Sequence, residues 1–238
     1  MLSHSPSEKS SPLRAGRVAG SVTGAGSLIL AASPEVADFC HIVEFRVDAL
    51  PGEVSALLQA MRSCPVPSLL TVRVFEEGGV TALNEEARAK LFQELLPAAD
   101  LVDVEIAQLG RLPEVLRQAR TLGVPVVASF HDFGGTPELP ELRDLIMTAV
   151  EAGASAVKFA TTLRDSRDLT TLMTIQESAP LPCATMGMGP LGRVSRLLLA
   201  QLGSVLNYGY LDRPTVPGQW EARRLRQLIA EVGGWQDP

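Results

Sequence analysis

Leu112-Pro113-Glu114-Val115-Leu116-Arg117-Gln118-Ala119-Arg120-Thr121-Leu122-Gly123-Val124-Pro125-Val126-Val127-Ala128-Ser129-Phe130-His131 is the stretch whose reading decides the fold. Residues 112–122 space their apolar side chains as a helix does, and Gly123 with Pro125 just beyond is a helix stop. Residues 124–129 then form an apolar run without strict alternation, the pattern of a strand buried on both faces of a parallel sheet. Polar residues close the run at Ser129 and His131.

The same unit recurs on either side. Apolar or β-branched runs near residues 18–22, 42–45, 68–72, 101–106, 124–129, 156–159, 183–186 and 204–208 read as strands. Their starts lie roughly 20 to 33 residues apart, room for a helix and two loops. Helices are expected over 53–61, from an Asn84 cap to Leu96, from Thr136-Pro137 to Gly153, and over 218–232. Eight such units imply a (β/α)8 TIM barrel, an α/β fold, in one domain over residues 16–238. The competing architecture is a doubly wound open sheet, but Thr23-Gly24-Ala25-Gly26-Ser27 is only a fragment of GxGxxG, with no acidic residue at the expected later strand end. Residues 1–15, rich in Ser and Pro, are expected to be a disordered tail. A transit peptide is the alternative reading, supported by Lys9, Arg14 and Arg17 and weakened by Glu8.

Composition narrows the function. A net charge of −6 argues against a nucleic-acid or anionic-membrane partner, leaving a small molecule or another subunit. Cys40, Cys64 and Cys183 lie far apart and form no CxxC pair, so a reduced cytoplasmic protein is expected. No apolar run approaches the roughly 20 residues that cross a bilayer.

In a barrel the βα loops meet at the carboxyl ends of the strands, and the unusual polar residues should gather there. Glu44 and Arg46 end the second strand, Arg73 the third with Glu77 just beyond, and Asp103 and Glu105 lie in the fourth. Ser129 and His131 end the fifth, Lys158 the sixth, Met186 and Met188 the seventh, and Asn207 the eighth. Lys158 stands out, since the chain has three lysines against eighteen arginines and this one is inside a strand. A buried ammonium either loses its proton, as an amine nucleophile must, or pairs with a carboxylate such as Glu105; a lysine snorkelling from a strand end is the third reading. His131 is a proton carrier near neutral pH or a core histidine satisfied by Ser129 or Asp132. Of Arg46, Arg73 and Arg196, one should be free of structural ion pairs and open to an anion, most naturally a carboxylate. The turn from Met188 to Gly192 could instead cradle a phosphate.

These residues resemble the type I 3-dehydroquinate dehydratases, a class I Schiff-base barrel family. The resemblance spans about residues 18–219. It rests on Glu44-Phe45-Arg46-Val47-Asp48, Arg73 with Glu77-Gly78-Gly79, Asp103-Val104-Glu105, Ser129-Phe130-His131-Asp132-Phe133 with Thr136-Pro137, Val157-Lys158, Met188 to Gly192 with Ser195-Arg196, and Thr215-Val216-Pro217-Gly218-Gln219. The family usually has Trp where Phe45 stands, and Ser-Ala where Thr215-Val216 stand in the closing loop.

The resemblance implies conversion of 3-dehydroquinate to 3-dehydroshikimate and water in the shikimate pathway. It implies Lys158 as the Schiff-base nucleophile, His131 as acid and base, and Glu77 as the carboxylate that orients it. Glu44, Arg46, Arg73, Arg196, Thr215 and Gln219 are implied to bind substrate. It further implies no metal or cofactor, and a homodimer. Two rivals differ in what they need: an aldolase-like barrel would use a phosphate cradle, and a non-catalytic sensor barrel would have no use for Lys158 and His131.

Overall fold

The computed structural model describes residues 12–233. Strands β1 (Val18–Val22), β2 (Ile42–Arg46), β3 (Ser68–Thr71), β4 (Leu101–Glu105), β5 (Val126–Asp132), β6 (Ala156–Thr162), β7 (Cys183–Met188) and β8 (Asn207–Tyr210) pair in parallel in the order β7-β6-β5-β4-β3-β2-β1-β8. A two-residue strand β9 (Trp220–Glu221) adds to β8. Helices α1 (Ala25–Ala31) and α2 (Val36–Phe39) follow β1, and α3 (Val54–Ser63), α4 (Glu85–Leu95), α5 (Pro113–Leu122), α6 (Leu139–Glu151), α7 (Ser166–Ser178), α8 (Gly192–Gln201) and α9 (Ala222–Gly233) follow the later strands. The result is the expected (β/α)8 barrel. Its ladder is interrupted between β7 and β8, where Val205 N donates to Cys183 O at 3.0 Å.

Alternation along the strands divides the buried residues in two. Val43, Phe45, Leu70, Val102, Val104, Ala128, Val157 and Phe159 point outward and join the cluster beneath the helices. Ile42, Leu69, Leu101, Val127, Ala156 and Ala184 belong to a separate inner cluster, the barrel's apolar floor. Two residues further along the same faces come Glu44, Thr71, Asp103, Ser129, Lys158 and Met186, and two further Arg46, Arg73, Glu105, His131, Ala160 and Met188. The interior therefore passes from apolar floor to charged mouth in two layers.

Several boundaries move from the sequence expectation. Thr136 does not cap α6: the helix starts at Leu139 with Pro140 in its first turn, and the Thr136 hydroxyl instead reaches Thr161 Oγ1 at 2.8 Å and Thr162 O at 3.2 Å. Asn207 starts β8 rather than ending it, because its amide donates to Arg17 O and Ser204 O at the barrel's floor end. The last helix starts at Ala222, since 220–221 are drawn into β9. Asn84 caps α4 as expected, its Oδ1 accepting from Ala87 N at 2.8 Å. Leu13, inside the stretch expected to be a tail, packs on the inner cluster; residues 1–11 of that stretch lie outside the described residues. Among the described residues, no helix is long and apolar enough to cross a membrane, and Cys40, Cys64 and Cys183 are free thiols.

β8 lies so close to α9 that a Cβ on Gly209 would sit 2.5 Å from Ala222 Cα and 2.8 Å from its backbone nitrogen. Backbone cannot step aside as a flexible side chain does. Gly209→Ala is therefore expected to destabilise the fold by about 1–3 kcal/mol, seen as a lower denaturant midpoint with unchanged slope.

Candidate active site

At the carboxyl ends of the strands a cavity of about 220 Å³ is lined by Glu44, Arg46, Arg73, Glu77, His131, Lys158, Arg196, Thr215 and Gln219, with Ser21, Phe133, Met186, Met188, Val216 and Tyr208. All nine residues singled out in the sequence thus face one space.

Lys158 is 3% exposed. Its Nζ donates to Asp103 Oδ2 at 2.8 Å, lies 3.9 Å from Glu44 Oε1, and sits 4.3 Å from the centre of the Tyr208 ring. The carboxylate beside it is Asp103 rather than Glu105, because Glu105 is taken by two arginines. Burial, the largest influence, pulls the ammonium pKa below its usual value; Asp103 and Glu44 oppose this and Arg73 reinforces it. Although burial favours its neutral form, Asp103 is held at about 2 by Arg73 and Lys158, so it stays ionised.

Arg73 lies deep, 1% exposed, and donates to Asp103, Glu105 and Ser129 at 2.8, 3.1 and 2.7 Å. Arg46 is held by both oxygens of Asp48 and donates to Gly78 O at 3.0 Å. Asp48 also accepts from the backbone of Arg73 and Val80. These two arginines are thus engaged by carboxylates, and their contacts fix the strand ends and the turn that carries Glu77. Gly78 ends that turn at φ 88°, a left-handed conformation that glycine adopts without strain, and Phe133 occupies the space a Cβ would need.

Arg196 is the exception. It is 3% exposed and donates to Tyr208 O at 2.9 Å; among the described residues it has no carboxylate partner, and its Nε is a buried donor without an acceptor. Burial alone lowers its pKa to about 10, so it remains a cation at neutral pH. A buried, unneutralised guanidinium lining a cavity calls for an anion. Gln219 approaches through its amide oxygen, which accepts from Thr215 N at 2.8 Å and Thr215 Oγ1 at 3.1 Å and leaves the NH2 group available to donate. Thr215, whose hydroxyl matches the family's Ser, keeps this link inside the loop. At the Met188–Gly192 turn, a Cβ on Gly192 would meet Gly187 O at 3.1 Å and Gly218 Cα at 3.3 Å, so the loop carrying Gln219 packs closely against it.

His131 is satisfied by Glu77, not by Ser129 or Asp132. Glu77 Oε2 accepts from the His131 backbone at 2.9 Å and lies 3.0 Å from Nδ1. With Glu77 ionised, Nδ1 carries the proton and Nε2 is left as the basic nitrogen. Burial, then Arg73, Lys158 and Arg46, push the imidazole pKa well below its usual value. Burial also raises Glu77 to about 7, with Arg73 opposing.

Three residues escaped the sequence reading, and a fourth, Asp48, entered it only inside the Glu44–Asp48 motif. Ser21, which donates to Glu44 Oε2 at 2.7 Å, is the penultimate residue of β1 and was open to the rule applied to the other strands. Arg88 shares a helix face with Leu91, Leu95 and the Asn84 cap, an apolar stripe that should have marked it; it donates to Glu105 Oε2 at 2.6 Å and to Val72 O. Tyr208 carried no signal beyond position.

Fold and site together define a (β/α)8 barrel enzyme with an enclosed lysine, a histidine–carboxylate pair and an unneutralised arginine at its mouth. A family model described as type I 3-dehydroquinase matches residues 27–234, and the chain belongs to that family. It is 36% identical over 196 residues to the 3-dehydroquinate dehydratase of Methanocella arvoryzae, covering 81% of this chain and 87% of that protein. It is 31% identical over 202 residues to that of Methanothrix thermoacetophila, covering 85% and 86%. Among solved structures, the 3-dehydroquinate dehydratase of Geobacillus kaustophilus superposes with a TM-score of 0.82 at 26% identity, covering 93% of this chain and 92% of that one.

Proposed function

We infer that this protein is a 3-dehydroquinate dehydratase, a hydro-lyase of the shikimate pathway that forms a Schiff base with its substrate. The observation that carries the reading is the cavity that Lys158, His131 and Arg196 share, where burial lowers the pKa of the Lys158 ammonium and Glu77 engages His131 Nδ1.

Neutral Lys158 attacks the ring ketone of 3-dehydroquinate, and His131 assists formation and breakdown of the carbinolamine. The resulting iminium draws electrons from the neighbouring C2–H bond, from which His131 takes the proton. The hydroxyl at C1 leaves as water with a proton returned by His131, giving the conjugated enone of 3-dehydroshikimate after hydrolysis. Glu77 holds the histidine in its reactive tautomer. Arg196 and the Gln219 amide receive the substrate carboxylate, with Thr215 holding Gln219 in place. Glu44, Arg46 and Arg73, which all line the cavity, hold the ring hydroxyls and lock the pose. The elimination is redox-neutral and built from substrate and side chains, so the mechanism calls on no metal or nucleotide. Work in the cytoplasm and as a homodimer belongs to the same reading.

Borohydride added to enzyme and 3-dehydroquinate should fix one reduced substrate mass on Lys158, read by peptide mass spectrometry. An unmodified Lys158 in enzyme that still turns over would sink the mechanism.

A further inference from the structure

The reaction asks two opposite things of the Lys158 nitrogen. It must be neutral to attack, which burial promotes, and it must then become a cation. In the Schiff-base step the amine lone pair forms the nitrogen–carbon bond. The carbonyl oxygen leaves as water, taking one proton from the nitrogen and one from an acid, and the nitrogen is left as a protonated iminium. A site that only disfavoured charge would slow this second half.

Asp103 and Glu44 favour that cation, and Tyr208 adds to them. Its ring is 4.3 Å from Nζ, inside the range over which an aromatic face attracts a cation, and the residue is 5% exposed, so water does not weaken the attraction. Unlike a carboxylate, a ring supports the cation without becoming a competing proton acceptor. A second, independent feature belongs to the same side chain: the Tyr208 hydroxyl is buried without a hydrogen-bond partner among the described residues, in a residue that lines the cavity. Buried hydroxyls are nearly always paired, and leaving one unpaired costs stability. A phenylalanine would fill the same space without that cost.

Resting on the Schiff-base reading above, we propose that Tyr208 is a further catalytic residue, its ring face holding the cationic nitrogen of Lys158 and its hydroxyl donating to a substrate oxygen. Both parts come from β8, the strand whose Tyr208 carbonyl accepts from Arg196. The contact thereby ties the reacting nitrogen to the residue that takes the carboxylate.

Two variants separate ring from hydroxyl. Tyr208→Phe keeps the ring: KM for 3-dehydroquinate should rise roughly tenfold, the loss of one hydrogen bond of about 1.4 kcal/mol, while kcat and the pH profile stay close to wild type. Tyr208→Leu removes the ring: kcat should fall roughly tenfold or more. The ring favours the charged amine, so its loss lowers the Lys158 pKa further and moves the pH dependence of adduct formation on Lys158, read by trapping with cyanoborohydride, to lower pH. The other charged groups facing Lys158, namely Glu44 and Arg46 from β2, Arg73 beyond β3, Asp103 from β4 and His131 from β5, are unchanged in both variants.

Wild-type kinetics for Tyr208→Phe would remove the hydroxyl from the proposal. A Tyr208→Leu variant whose kcat falls while the pH dependence of adduct formation on Lys158 stays in place would mark a packing residue and overturn the rest. Borohydride trapping on Lys158 in the wild-type enzyme tests the underlying reading separately, because its failure does not depend on either variant.

Discussion

Lys158→Ala is expected to lower turnover of 3-dehydroquinate by at least about a thousandfold, ~4 kcal/mol of barrier, while substrate binding stays measurable by calorimetry. Among the described residues, no other lysine lines the cavity. Lys90 sits on an exposed face of α4 beside Glu94 at 3.9 Å, and Lys9 lies outside the described residues. The variant should also stay folded. Removing one partner of a buried ion pair commonly costs about 3–5 kcal/mol by stranding the other charge. Asp103, however, keeps Arg73 and Ser129, at 2.8 and 2.6 Å, so the cost should fall at or below the low end of that range. Appearance of the conjugated enone in the ultraviolet measures the rate, and circular dichroism melting checks the fold. A folded variant with near-normal kcat would rule out the iminium step.

The second large effect is at His131. His131→Ala should reduce kcat by about a hundredfold to ten-thousandfold, the range over which a positioned acid–base group acts. Its signature differs from that of Lys158→Ala: the Schiff base forms slowly and then persists, so intact-protein mass spectrometry should show adduct accumulating. Normal exchange of the C2 proton in this variant would contradict the role of base. Because Glu77 is raised to about 7, its carboxylate is ionised, and able to hold Nδ1–H, only as the pH climbs through that region. The wild-type enzyme should therefore show a rising limb in kcat/KM near pH 7 that belongs to the Glu77–His131 pair and disappears in His131→Ala.

The barrel was legible because the helix stop at Gly123 and the uninterrupted run after it repeat a local signal eight times. Such signals survive in any context. The mouth was legible for a related reason: a strand buried on both faces has few polar residues, so Glu44, Asp103, Ser129 and Lys158 stood out against their neighbours. What could not be read was pairing across the barrel. Whether Lys158 meets Asp103 or Glu105 depends on strand stagger, and whether Arg73 is free or saturated depends on side chains tens of residues away. Thr136-Pro137 misled because local capping chemistry gave way to a long-range bond with β6, and Asn207 because the eighth run was placed about three residues too early. Of the three arginines, the one without a carboxylate partner could be identified as Arg196 only once Asp48, Asp103 and Glu105 had positions.

The β1–β8 ladder joins the two extremes of the chain, with Asn207 donating to Arg17 across 190 residues. Closing so long a loop carries a large entropic cost that local pairings such as β5–β6 do not meet. Synthesis therefore delivers an open, curled sheet first, with β1 and β7 as bare edges able to pair with other chains. Tyr208 and Gln219 arrive with the strands that seal it. A chain shortened before β8 would lose its substrate grip and its protection against aggregation in the same stroke.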